Sequence, residues 1–205
     1  MKPIEKIMRS APVIPVLVIE DVSTARPIAE ALVAGGLPIL EVTLRTDCAL
    51  EAIAEMKKVE GAIVGAGTVL NDAHLSSAID AGSEFIVSPG LTEALVESAF
   101  KRDAPLLPGI SNASDIMRGM DMGLKHFKFF PAEASGGTAA LKAIAGPFKD
   151  CLFCPTGGIN AKTAGDWLAL DAVLCVGGSW IVPKWTRDFN HVKQLALAAA
   201  AISAR

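Results

Sequence analysis

Eight short apolar runs recur along this chain at a period of about 20–26 residues, and each is followed by a stretch with helical periodicity. The runs are PVIPVLVI (12–19), PILEVTL (38–44), AIVGAGTV (62–69), EFIVSP (84–89), PLLPGI (105–110), HFKFFPA (126–132), CLFCPTGG (151–158) and AVLCVGG (172–178). Between them lie amphipathic stretches such as TARPIAEALVAGG, ALEAIAEMKKVEG and LTEALVESAFKRD, and DFNHVKQLALAAAAI closes the series. Strands that alternate with helices pair in parallel, because each helix returns the chain to the starting edge of the sheet. Eight such units predict an α/β fold, a (β/α)8 TIM barrel, with IEKIMRS as a short N-terminal helix across its bottom. The rival is an open doubly wound sheet, but no GxGxxG follows the first run. No linker or low-complexity tract interrupts the series, so residues 1–205 read as a single barrel domain.

Composition narrows the function classes. Hydrophobic residues make up 51% of the chain and charged ones 20%, with a net charge of -3 and the signs interspersed. No basic stripe suits nucleic acid and no polybasic end suits a membrane surface. MKPIEKIMRS has no signal-peptide pattern, and APVIPVLVIE is too short and proline-broken to span a bilayer, so a cytoplasmic location is expected. Cys151 and Cys154 form a CxxC, but in an apolar strand rather than at a helix start; residues three apart on a strand face opposite ways, which predicts buried structural thiols. The histidines, His74, His126 and His191, show no metal-ligand spacing, and neither a metal nor a cofactor is expected.

In this fold chemistry sits at the C-terminal ends of the strands. On PILEVTLR, Leu40, Val42 and Leu44 share the face suited to helices, which turns Glu41, Thr43 and Arg45 inward. A carboxylate, a hydroxyl and a guanidinium do not line a barrel for packing; a structural Glu41–Arg45 pair is the plain alternative. On HFKFFPA, Phe127 and Phe129 share one face, and His126, Lys128 and Phe130 the other. Burying a lysine between sheet and helices is costly, so Lys128 is expected inside. Lys125 has the other parity and is expected in solvent, and His126 is expected to be structural. For an inward lysine near Arg45, desolvation and a neighbouring cation both favour the neutral amine, the form that attacks a carbonyl carbon. A structural Lys128–Glu41 ion pair is the competing reading. PTGG and VGGS close the last two strands, where Gly157, Gly158, Gly177, Gly178 and Ser179 let backbone approach a ligand; a phosphate site there recurs in this fold, with Ser179-Trp180-Ile181 expected to begin its short helix.

LEVTLRT, VGAGTVL, SPGLTE, PLLPGIS, FKFFPAE, FCPTGGI and VLCVGGSW, in this order from about Pro12 to Trp180, resemble the 2-keto-3-deoxy-6-phosphogluconate (KDPG) aldolases of the Entner–Doudoroff route. The resemblance implies a class I aldolase, a lyase of carbohydrate metabolism that works without cofactor, commonly as a homotrimer. It implies Lys128 as the Schiff-base residue and Glu41 as general acid/base. It assigns Arg45 and Thr68 to the substrate carboxylate, Pro89 and Phe130 to the apolar wall, and Gly157, Gly158, Gly178 and Ser179 to the phosphate. The expected reaction releases pyruvate and glyceraldehyde 3-phosphate, with 4-hydroxy-2-oxoglutarate as a possible side substrate. A phosphogalactonate-type aldolase, a barrel phosphosugar isomerase without imine chemistry and a non-catalytic phosphate-ligand binder are the alternatives.

Overall fold

A computed structural model describes residues 3–203. Its strands are β1 (Val13–Leu17), β2 (Ile39–Thr43), β3 (Ile63–Gly67), β4 (Phe85–Val87), β5 (Leu106–Leu107), β6 (Gly109–Ile110), β7 (His126–Phe129), β8 (Leu152–Pro155) and β9 (Val176–Gly178). The helices are α1 (Pro3–Arg9), α2 (Ala25–Ala34), α3 (Ala49–Met56), α4 (Asp72–Asp80), α5 (Glu93–Lys101), α6 (Ala113–Asp121), α7 (Gly137–Ala145), α8 (Ala164–Leu168) and α9 (Phe189–Ala200). Among the described residues no helix is long and apolar enough to cross a membrane.

Local chemistry sets several boundaries. Asn71, Thr92, Asn112 and Asp188 each accept a hydrogen bond from the backbone N–H three residues on, opening α4, α5, α6 and α9. The run PLLPGI, read as one strand, is split into β5 and β6 at Pro108, which has no N–H to donate to a ladder.

The strands form a curled parallel sheet in two runs, ordered β5-β4-β3-β2-β1-β9 and β6-β7-β8. Two isolated parallel bridges, Phe153 with Val173 and Thr156 with Gly177, lie between β8 and the chain around β9. Strand parity sorts the apolar residues into two cores. Leu40, Val42, Val64, Ala66, Phe127, Phe129 and Phe153 pack outward on the helices. Ile14, Ile39, Phe85, Val87, Leu107, Cys154 and Cys175 point into the curl, where Ile4, Ile7 and Met8 of α1 join them. Glu5 of α1 meets His126, the first residue of β7, at 3.5 Å, so α1 covers the N-terminal ends of the strands. The opposite end is left for polar groups.

Two glycines on the inner face of β3 make room for larger neighbours. A methyl at Gly65 would overlap the ring of Phe85, and one at Gly67 would overlap the carboxylate of Glu41. The interior is thus filled by alternating small and large residues across adjacent strands.

Candidate active site

Glu41 on β2 and Lys128 on β7 belong to different runs of the sheet, yet their side chains meet inside the curl. Lys128 Nζ donates to Glu41 Oε1 at 3.1 Å, and the residues are only 5% and 3% exposed. Taking two charges out of water costs several kcal/mol per ion, and a single contact returns only part of it. Such a pair is a poor device for stability. The ring of Phe130 lies 5.4 Å from Nζ, near enough for a cation–π contact.

Side chains on β7 alternate between the helices and the interior, as strand parity requires. Phe127 packs outward near Phe153 and Phe129 near Trp167 of α8, each pair with ring centroids 6.2 Å apart. Gly119 lets α6 sit against Phe127, since a methyl there would strike the ring. Lys125 is exposed and pairs with Asp150 at 3.2 Å. On β2, the partner of Glu41 is Lys128 rather than Arg45, and Thr43 donates from its hydroxyl to the Leu17 carbonyl at 2.8 Å, tying β2 to β1.

Beyond the end of β2, Arg45 is exposed and its Nε donates to Thr68 Oγ1 at 3.3 Å. Thr68 has φ 61°, a left-handed conformation that a β-branched residue adopts at a cost of about 1–3 kcal/mol. The strained turn brings the hydroxyl under the guanidinium, as the shared assignment of both residues to the substrate carboxylate implies; the left-handed backbone that does so has no signature in the sequence. Pro89 follows β4, and its carbonyl sits so close to Gly109 that any side chain there would collide. Gly109 is in turn the register partner of Lys128, so Pro89 lies beside the lysine's strand.

The rim next to Phe130 is built from backbone. Gly157 and Gly158 have φ 107° and 83°, a conformation only glycine takes without strain. A side-chain carbon on Gly157 would lie 3.5 Å from the Phe130 ring, which joins this turn to the wall beside Lys128. Thr156 bridges to Gly177, and Trp180 folds over Gly178 so closely that a methyl there would overlap its ring. Ser179 is exposed at the end of β9. The short helix expected to start at Ser179-Trp180-Ile181 does not form: the chain runs in bends past Pro183, and the next helix is α9. The fold-back of Trp180 onto Gly178 takes the place of a helical turn.

The CxxC cysteines face opposite ways, Cys151 into the outer core and Cys154 into the inner one. All four thiols are free. Hydrogen bonding with Cys154, then burial, then the charges of Cys154 and Glu41 push the Cys175 thiol well above the usual range. Burial and Asp150 raise that of Cys151.

A family model described as "Aldolase: KDPG and KHG aldolase" matches residues 4–195. The chain belongs to the KDPG and KHG aldolase family. Within that family, the 2-dehydro-3-deoxy-phosphogluconate aldolase of Zymomonas mobilis is 58% identical over 201 residues, 98% of this chain and 97% of its own. The crystal structure of the 2-keto-3-deoxy-6-phosphogluconate aldolase of Zymomonas mobilis ZM4 with 3-phosphoglycerate matches with a TM-score of 0.98 at 57% identity, covering 100% of this chain and 98% of that one. The KDPG aldolase of Legionella pneumophila, with pyruvate captured at low pH as a covalent carbinolamine intermediate, matches with a TM-score of 0.93 at 43% identity over 97% and 98% of the two chains.

Proposed function

We propose that this aldolase cleaves 2-keto-3-deoxy-6-phosphogluconate to pyruvate and glyceraldehyde 3-phosphate through a Schiff base on Lys128. The observation that carries the reading is the buried 3.1 Å contact between Lys128 and Glu41 at the polar end of the curled sheet. The carbinolamine of the Legionella relative supports amine attack on a keto acid.

Attack needs a free amine, and Glu41 is near enough to accept the ammonium's proton. The amine adds to the C2 ketone, Glu41 passes the proton it took from the ammonium to the carbinolamine hydroxyl, and loss of that hydroxyl as water gives a protonated imine and a carboxylate again. Glu41 takes the proton from the C4 hydroxyl, directly or through a water. The C3–C4 bond breaks, its electrons pass into the imine, and glyceraldehyde 3-phosphate leaves. Glu41 returns a proton to C3 of the enamine, and hydrolysis frees pyruvate and Lys128. Arg45 and Thr68, hydrogen-bonded to each other, hold the substrate carboxylate and so fix C2 against the amine. Pro89 and Phe130 wall the reacting carbons. The glycine turn at Gly157 and Gly158, with Gly178 and Ser179, takes the phosphate through backbone and hydroxyl donors.

We read the two strand runs as one closed (β/α)8 barrel in a single domain; of the 1–205 expected for it, residues 1, 2, 204 and 205 lie outside the described residues. Chain continuity through Pro108 and the bridges from Phe153 and Thr156 support closure. A homotrimer is the assembly implied by the family resemblance, and sedimentation tests it.

The function is tested by pyruvate release from 2-keto-3-deoxy-6-phosphogluconate, its C4 epimer and 4-hydroxy-2-oxoglutarate, each with and without a chelator. The phosphogluconate-derived substrate is expected to turn over fastest and to be indifferent to the chelator. Faster release from the epimer, or loss of activity on chelation, contradicts the proposal.

A further inference from the structure

Glu133, to which the mechanism above gives no role, lies two residues beyond Pro131 on the loop between β7 and α7. Although the residue is exposed, its atoms are committed on several sides. Its backbone N–H donates to the Gly157 carbonyl at 3.0 Å, one step after Ala132 donates to Thr156 at 2.8 Å. Its own carbonyl accepts from Gly136 at 3.2 Å. Its Oε1 accepts from the indole Nε1 of Trp167 at 2.9 Å. Trp167 is 1% exposed, and its ring packs against Phe129 on the outer face of β7. A buried indole N–H requires an acceptor, and Glu133 supplies it.

The stem of Glu133 also lies across Gly158. A side-chain carbon on that glycine would come within 2.6 Å of Glu133 Cγ, and Gly158 has φ 83° besides. Glu133 therefore joins three pieces: the end of the strand bearing Lys128, the Gly157–Gly158 turn and helix α8. Its charge makes the arrangement informative. A carboxylate near a phosphate-binding turn repels the ligand, so electrostatic attraction does not account for it. Holding the turn in place does.

We propose that Glu133 is a positioning residue that clamps the Gly157–Gly158 turn for the phosphate end of the substrate, with Trp167 fixing the direction of its carboxylate. The proposal rests on the reading of that turn as the phosphate site. It requires an acceptor at residue 133 and does not require a charge.

Steady-state kinetics of Glu133→Ala, Glu133→Gln and Trp167→Phe on 2-keto-3-deoxy-6-phosphogluconate and on the same keto acid without its phosphate test it. Glu133→Ala should raise KM for the phosphorylated substrate roughly tenfold, the worth of about one hydrogen bond to a charged group, with kcat within about twofold. Its kcat/KM for the unphosphorylated substrate should not move. Glu133→Gln, which keeps the acceptor and removes the repulsion, should bind the phosphorylated substrate at least as well as the wild type. Trp167→Phe, which keeps the ring and loses the N–H, should follow Glu133→Ala at smaller size. Equal losses on both substrates, no change in Glu133→Ala, or a defect in Glu133→Gln as large as in Glu133→Ala each overturn the clamp. If the wild type itself ignores the phosphate, the phosphate site falls and the clamp with it; if the wild type prefers phosphate while Glu133→Ala is unaffected, only the clamp falls.

Discussion

The two ends of the sheet interior are made of the same strands and treated in opposite ways. At the N-terminal end, Ile4, Ile7 and Met8 of α1 seal an apolar layer of Ile14, Ile39, Phe85 and Leu107. At the other end, Glu41 and Lys128 are buried as a pair, Thr68 is held in a strained conformation, and glycines replace side chains around the rim. The first arrangement is what burial of apolar surface favours. The second contains features that each cost free energy, and their concentration at one end marks where function overrides packing.

The two ends differ most sharply at Lys128 and Glu41. Lys128→Met is expected to abolish pyruvate release, and Glu41→Gln to reduce it by about 10²–10⁴-fold. Stability should tell a different story. Lys128→Met leaves a buried carboxylate without its partner and should cost about 3–5 kcal/mol in urea unfolding. Adding Glu41→Leu should recover that loss or exceed it, giving an inactive protein as stable as the wild type. A double variant as unstable as the single one would mean that the pair is there for the fold.

At the sealed end, Met8→Ala should lose about 2–5 kcal/mol of stability while kcat stays unchanged, because it removes a fully buried side chain far from the polar groups. A large kcat loss at full folding would show that the two ends are not independent. Thr68→Gly should relieve about 1–3 kcal/mol of backbone strain, partly offset by glycine's greater freedom in the unfolded chain, while raising KM through loss of the hydroxyl beside Arg45. The smallest effect concerns Cys175. Its thiol keeps its proton in the fold well past the ordinary value of 9.0, whereas the unfolded thiol ionises there. Its contribution to stability is therefore intact below about pH 9 and erodes above it. Cys175→Ser unfolding curves at pH 8 and pH 10 should show less alkaline loss than the wild type.

What the chain discloses before folding follows the same division. Side-chain parity on a strand is a local property, so Glu41, Lys128, the outward phenylalanines and the split faces of the CxxC were all legible. The helix across the bottom was legible as well, since IEKIMRS carries its apolar residues at helical spacing. The errors and omissions concern tertiary approach. PLLPGI reads as one strand until Pro108 breaks the ladder. Ser179-Trp180-Ile181 reads as a helix start until Trp180 is seen over Gly178. Glu133 looks like an ordinary exposed acid, because its meaning depends on a turn some twenty-five residues away and on one indole N–H. The left-handed Thr68 gave no signal, since GAGT promises flexibility at its glycines and not at its threonine.

The lysine buried at the polar end is proposed to act as a nucleophile. Incubation with pyruvate and borohydride, followed by mass mapping of the peptides, tests it directly. One reduced pyruvyl adduct is expected, on Lys128, and none in Lys128→Met. An adduct on another lysine, or active enzyme that borohydride and pyruvate leave unmodified and uninhibited, would contradict it.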